Sequence, residues 1–215
     1  MIMKKKRLVI FYIGQCALLL LVTGCFSISK SYPEKHYFVL NAAMSKKMPP
    51  STSNAVLKIQ RFRVSPQFDG QSFVYKTGNL NYESDFYNEF FIPPSLMISE
   101  EVEKWLAGSG LFKYVMGFSS PVEPTFELEG VVSALYGDYS DIETPKAVLE
   151  IQFFLVRKIS SRPVIVFGKT YHEETRVKRN SPDALVAGWD LALEHILTRF
   201  EASLKDLDLN ERKTS

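Results

Sequence analysis

Three long segments near the carboxyl end most narrow what this chain can become. Residues 125–140 (TFELEGVVSALYGDYS) set Phe126, Leu128, Gly130 and Val132 against Glu127 and Glu129. Residues 147–158 (AVLEIQFFLVRK) set Leu149, Ile151, Phe153 and Leu155 against Glu150 and Gln152. A period of two with one apolar side marks a strand that buries one face. Residues 163–177 begin apolar and turn charged, and the close spacing of the three segments suits an antiparallel meander. Such a sheet needs a cover, and the next segment supplies one. Ser181-Pro182-Asp183 reads as an N-cap, an N1 proline and an acid favoured by the helix dipole. Leu185, Trp189, Leu193, Ile196, Phe200 and Leu204 then recur at intervals of three and four, the apolar stripe of a helix.

Upstream, residues 36–40 (HYFVL) have strand content, and residues 44–54 read as a loop from their lysines, prolines and hydroxyl side chains. Residues 55–64 (AVLKIQRFRV) alternate imperfectly and read as one strand; Asp69-Gly70 is a turn before another strand at 71–77. Over 90–110 the period changes. Pro93-Pro94 fits only a helix start, Leu96, Val102, Trp105 and Leu106 form a stripe, and Ser99-Glu100-Glu101 supply the polar side. Gly108 and Gly110 stop that helix, and a short strand follows at 111–116. With 46% hydrophobic residues there is material for one ordinary core. The expected fold is α+β: a single domain over residues 36–208, its mostly antiparallel or mixed β-sheet packed against two main helices, with a polar tail at 209–215.

The amino terminus makes a different demand. MIMKKKR is a positive n-region, and the apolar run 8–22, interrupted by Gly14 and Gln15, is too weak for a comfortable span of about 20 residues. Leu21-Val22-Thr23-Gly24-Cys25 resembles a bacterial lipobox, with an aliphatic residue three before the cysteine and a small one directly before it. The Cys25 sulfur would become the thioether that carries diacylglycerol. Residues 1–24 then form a lipoprotein signal peptide and 25–35 a lipidated tether. Cys16 would be discarded with the signal peptide, leaving Cys25 as the mature chain's one cysteine and no intramolecular disulfide. A single acyl chain holds a protein marginally; two or three hold it for practical purposes permanently. By resemblance to enteric lipoproteins, Phe26-Ser27 after the cysteine, in place of Asp, points to the periplasmic face of the outer membrane and away from the inner one.

Charge excludes another class. The chain carries 26 basic and 24 acidic residues, but Lys4, Lys5, Lys6 and Arg7 belong to the signal peptide. Without them 22 basic residues face 24 acidic ones, a formal charge of −2. A nucleic-acid partner would call for a concentrated basic face.

A search for catalysis returns nothing convergent. His172-Glu173-Glu174 begins like a zinc-protease motif, but position 176 is Arg where the second ligand belongs. Gly108-Ser109-Gly110 follows a helix and lacks the glycines of a nucleophile elbow. His195 flanks the apolar face of the last helix, and the carboxylate pairs read as solvated faces. We expect no enzyme, no metal and no cofactor. The unusual stretch is 68–91, where Phe68, Phe73, Tyr75, Tyr82, Phe86, Tyr87, Phe90 and Phe91 alternate with Asn79, Asn81, Glu83, Ser84, Asp85 and Asn88. Two readings stand side by side. Part of the stretch is core; amphipathic aromatics in a polar setting also suit a protein-binding loop. Phe68, Tyr75, Tyr82, Phe86 and Tyr87 are the candidate partner contacts.

The same residues carry a family resemblance. Val64-Ser65-Pro66-Gln67-Phe68-Asp69-Gly70, Val74-Tyr75-Lys76-Thr77-Gly78 and Tyr82-Glu83-Ser84-Asp85-Phe86-Tyr87-Asn88-Glu89-Phe90 occur in one order with Pro93-Pro94, Trp105-Leu106 and Ser109-Gly110-Leu111-Phe112. The pattern resembles the ABC-type transport auxiliary lipoprotein family, the PqiC-like proteins. That resemblance implies a non-catalytic accessory subunit of a Gram-negative MCE-type lipid transport system, which moves phospholipid or other hydrophobic molecules across the envelope. The implied partners are a periplasmic MCE-domain protein and its ABC transporter, and further copies of the chain in a homo-oligomer. A lipid-binding carrier and an outer-membrane assembly lipoprotein are the alternatives.

Overall fold

The computed structural model describes residues 34–44, 48–49, 53–159 and 162–209. The signal peptide, Cys25 and nearly all of the tether lie outside the described residues, as do residues 210–215. From Lys35 onward the chain forms one compact α+β unit, a nine-stranded mixed sheet with two helices among the described residues.

The strands are β1 (His36–Phe38), β2 (Val56–Ile59), β3 (Arg63–Val64), β4 (Ser72–Lys76), β5 (Tyr82–Phe90), β6 (Tyr114–Met116), β7 (Phe126–Asp138), β8 (Lys146–Ile159) and β9 (Arg162–Arg176); the helices are α1 (Pro94–Gly108) and α2 (Pro182–Lys205). The meander is present: β7, β8 and β9 pair antiparallel in sequence order. The other edge of β7 is divided among three parallel neighbours, β2 at its start, β3 in the middle and β4 at its end. From β4 the sheet continues through antiparallel β5 to parallel β1, and from β2 to parallel β6.

Packing follows the alternation. Leu149, Ile151, Phe153 and Leu155 of β8 are fully buried beneath α2, whose Trp189, Leu193, Ile196 and Phe200 are buried in turn. Phe153 and Phe200 stack with ring centroids 4.1 Å apart and planes 3° from parallel. Each such buried side chain contributes about 2 kcal/mol. At the start of α2 the Ser181 hydroxyl accepts the Ala184 N–H, Pro182 stands at N1, and Asp183 and Lys205 complement the dipole at the two ends. The Trp105 indole N–H of α1 donates to Glu201 of α2 at 2.9 Å and joins the helices. α1 ends where expected. The Ser109 hydroxyl donates to the Leu106 carbonyl, and Gly110 adopts φ +69°, where an added Cβ would also meet the Pro49 carbonyl at 2.6 Å.

Three local expectations need correcting. Residues 55–64 are not one strand. Leu57 and Ile59 are buried, and so is Phe62, which has the opposite parity. The break between β2 and β3 absorbs the switch: Phe62 turns its ring into the core over Gly130 while its N–H donates to Ser99 Oγ at 2.9 Å. That bond explains the second correction. Ser99 and Glu101 lie on the buried side of α1, because Glu101 accepts the Ala42 N–H and Ser99 accepts that of Phe62. Finally, the polar–aromatic stretch before α1 is no loop through most of its length. It contains β5, nine residues long, which pairs with β4 on one side and β1 on the other.

Candidate functional site

The β4–β5 hairpin is irregular, and one carboxylate holds the irregularity. Ser72 pairs with Glu89 and Val74 with Ser84, so two steps along β4 correspond to five along β5. The surplus residues form a bulge. Asp85 Oδ1 accepts the backbone N–H groups of Tyr87 (2.7 Å) and Asn88 (3.1 Å), and Oδ2 accepts the Tyr75 hydroxyl (2.6 Å) and the Asn88 amide (2.7 Å). Burial alone would raise the Asp85 pKa; the hydrogen bonds from Tyr75, Asn88 and the bulge backbone outweigh it and hold the carboxyl below its ordinary value. The Tyr75 hydroxyl is pushed the other way, by burial first and by the Asp85 carboxylate second.

The bulge presents aromatic side chains to solvent. Phe86 is 68% exposed and Tyr87 40%, their rings edge to face at 5.2 Å. At the turn end of the hairpin Leu80 is 88% exposed and Tyr82 47%. Tyr82 rests its ring edge on Phe68 and Tyr136, at centroid separations of 6.2 and 5.5 Å. The five candidate contacts thus divide. Tyr82, Phe86 and Tyr87 are at the surface; Tyr75 is half-buried and works through Asp85. Phe68, at 3% exposure, belongs to the core, stacked on Tyr136 beneath Tyr82, and does not reach a partner.

Sequence reasoning missed Asp85 as the organiser and missed Tyr37 and Phe91 as surface residues. The available signal was local: an Asp two and three residues before the backbone groups it bonds is the pattern of an Asx turn.

Other polar clusters are pairings of ordinary type. His172 stands between Glu150 (3.1 Å) and Glu174 (3.4 Å), and Glu173 meets Arg199 and His195. Among the described residues no group of His, Cys, Asp and Glu is placed to hold a metal ion, and no helix is long and apolar enough to cross a membrane. An open groove of about 640 Å³ lies along β3, lined by Arg61, Phe62, Arg63, Val64, Ser95 and Val131 among others.

No family model and no curated protein matches the chain. Solved structures share its fold. A Xanthomonas campestris protein of family DUF330 superposes with a TM-score of 0.68 at 15% identity, over 79% of this chain and 95% of its own. An uncharacterized protein superposes at 0.62 and 16% identity, over 80% of this chain and 99% of its own.

Proposed function

We propose that this chain is a non-catalytic lipoprotein, anchored through Cys25 at the periplasmic face of the outer membrane, that serves as an accessory subunit of an ABC/MCE-type transport system for phospholipid or another hydrophobic molecule. The observation that carries the binding role is the Asp85-locked bulge. Four hydrogen bonds converge on the Asp85 carboxylate and fix the bulge whose Phe86 and Tyr87 stand out in solvent, and Tyr82, exposed as well, begins the same strand. Rigid amphipathic aromatics are the residues that dominate protein contacts. The lipobox-like segment at 21–25 supports the anchor, and the order of motifs from Val64 to Phe112 supports the transport setting. The outer edge of β9, unpaired among the described residues over a fifteen-residue strand, supports self-association into a homo-oligomer.

The test is a crosslinked affinity purification of the full-length protein from its own membranes, with Cys25→Ala as control. Recovery of an MCE-domain protein with its ABC subunits, reduced in the control, is the expected result. Recovery of a β-barrel alone, or of nothing, would end the transport reading.

The groove along β3 favours a second reading, a carrier that holds lipid itself. Val64 and Val131 offer apolar wall, and Arg61 and Arg63 could meet a head-group phosphate. A carrier would retain phospholipid through purification, which mass spectrometry would detect.

A further inference from the structure

The β1–β5 edge carries a second exposed face, separate from the hairpin turn. Tyr37 (55%), Val39 (55%), Phe86 (68%) and Phe91 (64%) are all exposed along it. Tyr37 and Phe91 meet edge to face at 6.2 Å. The Lys35 ammonium lies 4.9 Å from the centre of the Phe86 ring and pairs with Glu89 at 2.5 Å; Glu89 is itself the register partner of Tyr37. Lys35 and Tyr37, two apart on an extended segment, share a side. The result is an exposed aromatic edge in which Lys35 links Phe86 to the strand that carries the Tyr37–Phe91 pair.

The position of this face in the chain says what it meets. β1 is the first strand of the domain, and the ten residues 26–35 are all that separate it from Cys25. Ten residues span at most about 35 Å even when fully extended. Tyr37 is twelve residues from Cys25, so a lipid there keeps it, and the Phe91 ring packed on it, within about 43 Å of a bilayer. Tyrosine and lysine are side chains that settle at head-group level, with the apolar body inward and the polar tip in water, and phenylalanine adds apolar area to bury. A protein partner would require no such closeness to the tether, whereas the membrane is the one surface that an anchor guarantees.

We propose that this face docks onto the phospholipid surface that holds the Cys25 anchor, with Tyr37, Phe86 and Phe91 at head-group level. The proposal goes beyond the accessory role and rests on the lipoprotein reading of Cys25. It also fixes an orientation. Tyr82 begins β5 four residues before Phe86, at most about 14 Å from it, so docking assigns Phe86 to the membrane face and leaves Tyr82, at the hairpin turn, to a partner.

The test uses full-length lipidated protein reconstituted in vesicles of phosphatidylethanolamine and phosphatidylglycerol. With the Cys25 sulfur acylated, an introduced cysteine takes a fluorescent label uniquely. Phe86→Cys and Phe91→Cys report on the face. Ile142→Cys is the control, 72% exposed in a turn that Ser140 ties to Gly78 beside the hairpin turn. Nitroxide carried on the lipid chains should quench the two face labels at least about twofold more than the control. Equal quenching at all three positions, in protein that floats with the vesicles, would overturn docking and leave the anchor standing. Protein that does not float would overturn both. Face labels shielded from aqueous quencher in native envelopes, yet unquenched by lipid nitroxide, would show a polypeptide covering the face and would also overturn docking.

Discussion

The ring of Phe62 fills the space that any side chain at position 130 would need. Gly130 is an inward-facing position of β7, and a Cβ built there falls within the van der Waals envelope of that ring. Phe62 is 1% exposed and packs edge to face on Phe153 at 5.8 Å, so it has nowhere to retreat. Gly130→Ala should cost about 1–3 kcal/mol through overpacking. Thermal melts check this, with Gly70→Ala as control: nothing lies within 4 Å of a Cβ at that position, and its melting temperature should barely move. Equal melts for the two variants would contradict the packing described.

Asp85→Ala should loosen the hairpin. It strands the Tyr75 hydroxyl and the Tyr87 and Asn88 N–H groups, a loss of about 1–3 kcal/mol in this partly buried setting. The same carboxylate gives the wild type an acid-sensitive element. Its folded pKa lies below the unfolded value of 3.8, so its contribution is present above that value and lost as pH falls through the lower folded one. Amide exchange across residues 84–89 should speed up in the variant, and in the wild type only in strong acid.

Asp190 has the opposite sign. Burial pushes its carboxyl up to about 6; the Asn41 N–H, which it accepts at 2.7 Å, opposes that, and the charge of Glu101 adds to it. A raised folded pKa means that the folded protein holds the proton more tightly than the unfolded chain, so the stabilisation is full below the unfolded value of 3.8 and is lost as pH rises through about 6. Asp190→Asn keeps an acceptor for Asn41 and removes the charge. It should melt a few degrees above wild type near about pH 7.5 and lose most of that advantage near about pH 4. A variant no more stable than wild type near pH 7.5 would contradict the sign.

Tyr82→Ala with Tyr87→Ala should weaken partner capture about tenfold or more while the fold survives, since each ring is at least 40% exposed. Removing Tyr82 also uncovers Phe68, so a drop of a few degrees in melting temperature is expected. Undiminished capture, or a collapsed melt, would count against the hairpin as a contact surface.

The parts of the fold legible in the sequence were those in which one period runs unbroken. β7, β8 and α2 declare themselves because Phe126 to Val132, Leu149 to Leu155 and Leu185 to Leu204 each keep a single spacing, and Ser181-Pro182-Asp183 marks the helix start. Legibility failed wherever a tertiary contact reset the pattern. Phe62 reverses the parity set by Leu57 and Ile59, and the surplus residues of the bulge scramble β5 so that a strand looks like a loop. Ser99 and Glu101 look solvated in sequence because the N–H groups they satisfy are 37 and 59 residues away. At the candidate site the sequence singles out the right stretch, but it cannot separate Phe68, which is buried, from Phe86, which is not; the difference is made by Tyr82 and Tyr136 closing over one and Asp85 pushing out the other.

The shared edge of β7 also dictates a timetable. β2, β3 and β4 come early in the chain, yet all three dock on a strand whose residues are made between sixty and seventy later: Leu57 waits for Phe126, Arg63 for Val131 and Tyr75 for Gly137. As the polypeptide emerges amino end first, β2, β3 and β4 lack the strand they dock on, although β4, β5 and β1 can pair among themselves, while β7, β8, β9 and α2 are contiguous in the chain. The leading strands, with Phe62, Phe73 and Phe90 among them, must therefore stay unaggregated until that block arrives.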